Sequence, residues 1–167
     1  MKYLAATVQF EPEMFAKERN IDVLKRLVEE AAASGARLII TPEMGLTGYC
    51  WYDRGEVAPY VEQVPGPSTQ SFAALAAKLD CYIVIGLPEI DAGNGLYYNT
   101  AVLVGPEGYL GKHRKSHPYI AEPKWAASGD TGHQVFETSL GRIALLICMD
   151  IHFLETARLV ALQGAEV

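Results

Sequence analysis

An amphipathic helix between two short apolar segments is the feature that most constrains this chain. Residues 20–35 place apolar side chains at steps of three and four, with charged residues off that stripe. The flanking residues 3–10 and 37–41 are rich in apolar and β-favouring types and predict strands. Strands joined by a crossover helix pair in parallel, and Gly35 is typical of a helix C-terminus. This region therefore predicts an α/β fold.

The rest of the chain alternates between strand and helix patterns and contains hairpins. Residues 91–95 and 105–108 predict turns between strands, and residues 118–130 show no regular pattern. The other predicted strands are residues 81–87, 98–104, 109–115, 135–137 and 142–147, and the other predicted helices are residues 68–78, capped by Ser68, and 153–163, capped by Gly164. Because of the hairpins, we expect an α/β fold with mixed sheets.

Composition and charge exclude several classes of protein. The chain of 167 residues has 14 Lys and Arg against 20 Asp and Glu, a formal net charge of −6, and half of its residues are apolar. This excludes intrinsic disorder and argues against a nucleic-acid partner, because phosphate binding needs concentrated positive charge. No stretch approaches the ~18–20 apolar residues of a membrane span, and the N-terminus lacks a secretory signal pattern. We expect a cytoplasmic protein with no membrane partner.

The last residues predict that the sequence continues. Gly164 is typical of a helix end, and residues 165–167 resemble the beginning of a strand. Natural domains rarely stop on the first residues of a strand. We therefore expect residues 1–167 to form one domain that is incomplete at its C-terminus.

Three cysteines, Cys50, Cys81 and Cys148, are too scattered for a disulfide framework or a zinc ribbon. Cys148 follows the apolar run 143–147 and precedes a predicted helix, whose dipole would lower the pKa of the thiol. The alternative is a buried structural thiol, which is the common state of free cysteine. We interpret Cys50 and Cys81 as buried structural thiols, because Cys50 lies in an aromatic loop and Cys81 opens a strand.

Charged residues follow other predicted strand ends. Glu43 comes after a buried strand, where α/β sheets place functional groups, although a surface glutamate is the alternative. Residues 112–117 form a concentrated basic stretch. Strand alternation places Arg114 on one side of it and His113 and Lys115 on the other. One of these cations faces a strand-end site, or the stretch is a solvated basic edge.

Three segments together resemble the motifs of the nitrilase superfamily of carbon–nitrogen hydrolases. Residues 38–43, with the glycine-containing loop that follows, resemble its glutamate motif. Residues 111–117 resemble its lysine motif, and residues 146–150 its cysteine motif. Their order and spacing fit over essentially the whole chain, which favours a functional Cys148 over a buried thiol. One departure is Leu154, which stands where a proline commonly precedes the last glutamate of the cysteine motif.

The resemblance implies a four-layer α-β-β-α sandwich, of which this sequence covers only the N-terminal part. It implies Glu43, Lys115 and Cys148 as the catalytic residues. Glu122, seven residues after the lysine, would position the substrate amide or the attacking water. The resemblance implies no metal and no organic cofactor, and we expect a homo-oligomer in the full-length form.

The implied reaction is hydrolysis of a small carboxamide or N-carbamoyl compound through a cysteine thioester, with release of ammonia or an amine. Met149 and Asp150 follow the cysteine, whereas nitrile-cleaving relatives carry a Trp-Glu pair there, so we place nitrile hydrolysis second. A binding or scaffold protein on the same fold is the non-enzymatic alternative, because a fold does not determine a function.

Overall fold

The computed structural model describes residues 2–167, which form two β-sheets and four α-helices. The strands are β1 (Leu4–Thr7), β2 (Ala36–Ile40), β3 (Tyr82–Ile90), β4 (Tyr97–Gly105), β5 (Gly108–Arg114), β6 (Val135–Thr138) and β7 (Gly141–Ala144). The helices are α1 (Lys17–Ala33), α2 (Arg54–Val57), α3 (Pro67–Leu79) and α4 (Leu154–Leu162). No helix within the described residues is long and apolar enough to cross a membrane.

The larger sheet combines parallel and antiparallel pairing, as the sequence predicts. Its five strands lie in the order β1-β2-β3-β4-β5. The first three run parallel, whereas β3, β4 and β5 form consecutive antiparallel pairs. Helix α1 connects β1 to β2, and α3 precedes β3, which is the connection that parallel neighbours require. Ile40, the last residue of β2, pairs with Val84, so the loop after β2 leaves the sheet beside β3.

Two apolar cores hold the layers together. Alternate residues of β3 and β4 point to opposite faces of the larger sheet, and each face is buried. One core lies between that sheet and helices α1 and α3 and includes Leu24, Phe72, Ile83 and Val102. The other joins the opposite face to the two-stranded sheet β6-β7 and includes Tyr82, Leu103, Ile143 and Leu145. The layers are thus helix, sheet and sheet, in agreement with the predicted sandwich.

The last residues extend the smaller sheet. The N–H of Glu166 donates to Arg142 O at 2.8 Å, and the N–H of Ala144 donates to Val167 O at 2.9 Å. Gly164 follows α4 with a φ of 89°, the left-handed conformation that glycine adopts without steric cost. The predicted helix end and the strand-like segment after it are therefore both present.

Three predicted boundaries are wrong. The strand predicted over residues 3–10 ends at Thr7. Helix α3 begins at Pro67 and is not capped by Ser68, because proline suits the first helical position. Ser68 instead donates its N–H and its hydroxyl to the carboxylate of Glu62, each at 3.0 Å. The strand predicted over residues 142–147 ends at Ala144, where the backbone turns towards the cysteine-bearing loop.

Candidate active site

Glu43 lies in the loop that leaves β2, as the sequence predicts. The N–H and the hydroxyl of Thr41 both donate to Val84 O at 2.9 Å, which continues the strand pairing by one residue. The loop packs so closely on β3 that a Cβ at Gly86 would lie 2.6 Å from Met44 N, so glycine is required there. This packing fixes the backbone of Glu43, whose side chain is 21% exposed.

Lys115 directly follows β5, and its side chain is 1% exposed. Its N–H donates to Asn99 O at 2.8 Å, which continues the pairing with β4. Its ammonium lies 2.7 Å from Glu43 Oε1 and 2.5 Å from Glu122 Oε2. Burial by itself lowers the pKa of Lys115, but hydrogen bonds to the two carboxylates outweigh that effect and raise the pKa. The ammonium is therefore charged at neutral pH.

Glu122 lies in a 3₁₀ turn within the segment that the sequence predicts to be irregular, and its side chain is 1% exposed. Its Oε2 accepts hydrogen bonds from the Tyr49 hydroxyl at 2.9 Å, the Tyr119 N–H at 2.6 Å and the Lys115 ammonium. Its Oε1 accepts from Asn99 at 2.7 Å. Burial and the hydrogen bond to Glu122 raise the pKa of Tyr49, so the Tyr49 hydroxyl stays a donor. Four donors thus hold the Glu122 carboxylate in place.

Asn99 joins the two carboxylates, a role that none of the sequence motifs predicts. Its side-chain NH₂ donates to Glu43 Oε1 and to Glu122 Oε1, both at 2.7 Å. These contacts set the orientation of the amide, because the opposite orientation would place its oxygen against two carboxylates. A signal does exist in the sequence. An asparagine within a strand of mostly apolar residues needs a buried polar partner.

Cys148 opens a 3₁₀ turn, with a φ of 44° that is costly for a residue other than glycine. Cys148 is exposed, but partial desolvation of its thiol raises the pKa, and the nearby charge of Glu43 raises it further, whereas Lys115 lowers it. The net effect is a raised pKa, so the predicted lowering by a helix dipole is wrong. The reason is geometric, because α4 begins only at Leu154. The thiol is protonated at neutral pH and needs a base before it can react.

A cavity of about 180 Å³ contains both the thiol and the Glu43 carboxylate on its walls. Residues 40–43, 84–86, 99–101 and 146–148 line it. Lys115 and Glu122 are not part of this lining, but the Lys115 ammonium contacts both Glu43 and Glu122. The four predicted site residues therefore form one cluster, in which Glu43 connects the cavity to the buried ion pair.

The other two cysteines differ from each other. Cys81 is buried, as predicted, whereas Cys50 is exposed, so its interpretation as a buried thiol is wrong. The loop turns the neighbouring Trp51 inward instead, where its indole N–H donates to Gly48 O at 2.9 Å.

The basic stretch is not a solvated edge, because His113, Arg114 and Lys115 are all buried. The alternation is as predicted. Arg114 contacts Glu89 on one side of β5, whereas His113 and Lys115 lie on the side of the candidate site.

Comparison with known proteins identifies the family. The carbon–nitrogen hydrolase family matches residues 4–167. The chain is 37% identical over 163 residues to a nitrilase of Pyrococcus abyssi, a match that covers 97% of this chain and 62% of that protein. It is 32% identical over 165 residues to omega-amidase NIT2 of Xenopus tropicalis, covering 90% of this chain and 56% of that protein. The chain belongs to the carbon–nitrogen hydrolase family, as the three motifs predict.

The fold leads to the same family. The crystal structure of Saccharomyces cerevisiae Nit3, a member of branch 10 of the nitrilase superfamily, is similar with a TM-score of 0.83 and 26% sequence identity. The similarity covers 95% of this chain and 59% of that chain. The chain thus spans 62% and 56% of the length of the two curated relatives described above.

Proposed function

We propose that this chain carries the catalytic centre of a hydrolase that cleaves a small carboxamide or N-carbamoyl compound through a thioester on Cys148. The observation that carries the proposal is the cavity shared by Cys148 and Glu43, with Lys115 Nζ 2.7 Å from Glu43. A thiol with a raised pKa needs a base, and the adjacent carboxylate can accept its proton. Membership of the family supports cleavage of a carbon–nitrogen bond.

Acylation is the first step of the proposed reaction. The Cys148 thiol gives its proton to Glu43 while the sulfur attacks the carbonyl carbon, and the carbonyl π electrons move to oxygen. Protonated Glu43 then gives that proton to the substrate nitrogen as the carbon–nitrogen bond breaks. Ammonia or an amine leaves, and the acyl group stays on the sulfur as a thioester.

Deacylation restores the centre. A water molecule gives a proton to Glu43 while its oxygen attacks the thioester carbon. The carbon–sulfur bond breaks, the sulfur takes up the proton from Glu43, and the acid leaves. For an N-carbamoyl compound that loses its amine in the first step, this acid is carbamic acid, which breaks down to ammonia and carbon dioxide. One water is consumed for each amide, and both the thiol and the carboxylate return to their starting states.

Lys115 supplies the positive charge of the proposed centre. Its charge lowers the pKa of Cys148 against the opposing effects of burial and Glu43, so it favours the thiolate as the proton leaves. We propose that the same charge stabilises the oxyanion, together with the Met149 N–H next to the sulfur.

Glu122 has a positioning role in this proposal. The contacts support an action through Lys115, because the two oxygens of Glu122 already accept four hydrogen bonds. One of those donors is the ammonium itself, at 2.5 Å. A carboxylate held in this way fixes the lysine against Glu43 and keeps its charge beside the cavity.

Nitrile hydrolysis is the second candidate, favoured by the 37% identity to a protein named nitrilase. The residues after the nucleophile argue for an amide, because Met149 and Asp150 replace the Trp-Glu pair of nitrile-cleaving relatives. The omega-amidase relative supports the same choice. A nitrile would consume two waters on the way to the acid, whereas an amide consumes one.

The test uses the complete natural protein and a panel of carboxamides, N-carbamoyl amino acids and nitriles, with ammonia release as the measurement. Intact-protein mass spectrometry during turnover follows the acyl adduct. We expect amides or carbamoyl compounds to release acid and to acylate Cys148. Cys148→Ala should abolish both signals. Glu43→Gln keeps the shape of the side chain but removes the proton acceptor, so it should prevent acylation.

Cys50→Ala is the matched control, because Cys50 is the other exposed thiol of the described chain. It should retain turnover and the adduct. Full turnover in Cys148→Ala, or an adduct on Cys50, would contradict the mechanism. Acid release from nitriles but not from amides would establish the second candidate instead.

A further inference from the structure

A buried carboxylate outside the proposed catalytic set contacts the segment that carries Lys115. Asp150 lies two residues after Cys148, and its side chain has 0% exposure. Its Oδ1 accepts the backbone N–H of Ser116 at 3.1 Å and that of His117 at 3.0 Å. The ring Nδ1 of His117 lies 3.0 Å from the same oxygen. One oxygen of Asp150 therefore holds the backbone directly after the lysine.

The second oxygen of Asp150 contacts one residue shortly before Lys115 and one directly before Cys148. Its Oδ2 lies 2.8 Å from His113 Nε2 in β5 and accepts the Ile147 N–H at 3.0 Å. Ile147 directly precedes Cys148, so this last hydrogen bond spans the residue with the left-handed φ. A hydrogen bond across a strained residue is one means by which a structure maintains such a conformation.

We propose that Asp150 is a positioning residue that holds the ammonium of Lys115 and the thiol of Cys148 at a fixed separation. The roles of these two groups rest on the proposed function. The contacts at positions 113, 116 and 117 lie on both sides of the lysine, so the lysine cannot shift along the strand without breaking them. The contact with Ile147 does the same for the cysteine.

The charge of Asp150 is stable over the physiological range. Burial raises its pKa, but hydrogen bonds from His113, Ile147 and His117 outweigh burial and lower the pKa to about 2. The ring of His133 packs on His113 with 5.5 Å between centroids, and it is the third imidazole near this carboxylate. The carboxylate is therefore a permanent anion that two neighbouring segments share.

Two possible roles of Asp150 predict opposite shifts in the pKa of the Cys148 thiol when its charge is removed. The charged groups that face Cys148 are Glu43 and Lys115, and the Tyr49 hydroxyl lies near them. If Asp150 acted only through its own field, its neutralisation would lower the pKa of Cys148. If it acts by holding Lys115 in place, its loss lets the ammonium move away, and the pKa of Cys148 rises. The direction of the shift thus separates the two roles.

The test is Asp150→Asn in the complete natural protein, which keeps the shape but removes the charge. The rate of Cys148 alkylation by iodoacetamide is measured against pH by peptide mass spectrometry, with Cys50 as the internal reference. We expect the midpoint for Cys148 to move to higher pH and that for Cys50 to stay. In amide hydrolysis, kcat should fall by ~10²-fold with little change in KM, because misplaced reacting groups cost about that much.

Asp130→Asn is the matched control. Asp130 also pairs with a cation of the same basic stretch, Arg114, but its side chain is 53% exposed. It should leave both the alkylation profile and kcat unchanged. A Cys148 midpoint that stays in place or moves to lower pH in Asp150→Asn overturns the proposal.

A second variant covers the case in which Asp150→Asn does not fold. Asp150→Glu keeps the charge and displaces it by one methylene, so a higher Cys148 midpoint supports positioning and an unchanged midpoint overturns it. Alkylation needs no substrate, so this measurement tests the positioning role of Asp150 independently of the proposed hydrolysis. A wild-type protein with the expected shift but no hydrolysis would refute the function alone, and wild-type kcat in Asp150→Asn would refute the positioning role alone.

Discussion

Arg114 and Lys115 are adjacent buried cations on opposite sides of one strand end, and they have different surroundings. The guanidinium of Arg114 binds Glu89 at 2.5 and 3.1 Å, and it reaches Asp91 at 2.6 Å. It also lies 4.0 Å above the ring centroid of Tyr98. The ammonium of Lys115 binds two carboxylates beside the cavity that contains the thiol. Both are buried ion networks, but one of them borders the Cys148 thiol.

The two networks are similar in burial and charge and differ in what lies next to them. The network of Arg114 runs from buried Glu89 to the partly exposed carboxylates of Asp91 and Asp130, and it ties the end of β5 to the end of β3 and to the segment before β6. The network of Lys115 ends at Glu43, next to Cys148. We infer that the first network stabilises the sheet and that the second supports chemistry.

Lys115→Ala is the substitution that tests this division with the largest expected effect. It removes the charge that we assign to the oxyanion, so kcat for amide hydrolysis should fall by ~10²–10³-fold. Steady-state kinetics provide the measurement, with circular dichroism to correct for the folded fraction. Unchanged kcat in the folded protein would place Lys115 in the same structural class as Arg114.

The sequence predicts the place of the candidate site residues in the fold better than it predicts their surroundings. Glu43 and Cys148 each follow an apolar segment, and such local patterns are visible without a structure. The parallel pairing of β1 and β2 follows from the helix between them. These features depend on neighbours in sequence, which explains why they could be predicted.

The remaining features depend on contacts between distant segments. Asn99 binds Glu43 across 56 positions and Glu122 across 23, and no local pattern encodes either distance. The helix-dipole prediction for Cys148 fails for a related reason. The sequence pattern shows the helix that begins six residues after Cys148, but it does not show the 3₁₀ turn that separates Cys148 from that helix. Burial of the basic stretch likewise depends on carboxylates supplied by other strands and loops.

Arg114→Met should affect stability rather than chemistry. It removes the guanidinium and leaves the buried carboxylate of Glu89 with Lys112 as its remaining cation. The loss of one partner from a buried pair costs about 3 kcal/mol or more, so the free energy of unfolding should fall by that amount in urea titrations. The kcat of the folded fraction should remain close to that of the wild type. A large loss of kcat with unchanged stability would remove the distinction between the two networks.

Lys112→Ala should have the smallest effect and is the control for the assignment within the basic stretch. Lys112 lies on the same side of β5 as Arg114, where it binds Glu89 and donates to Val64 O at 3.2 Å. After the substitution, the buried carboxylate of Glu89 still accepts two hydrogen bonds from the Arg114 guanidinium, so the free energy of unfolding should fall by less than in Arg114→Met. Urea titration and steady-state kinetics measure the two consequences, and kcat should not change. A loss of kcat in Lys112→Ala, together with wild-type kinetics in Lys115→Ala, would show that the wrong lysine has been assigned to the candidate site.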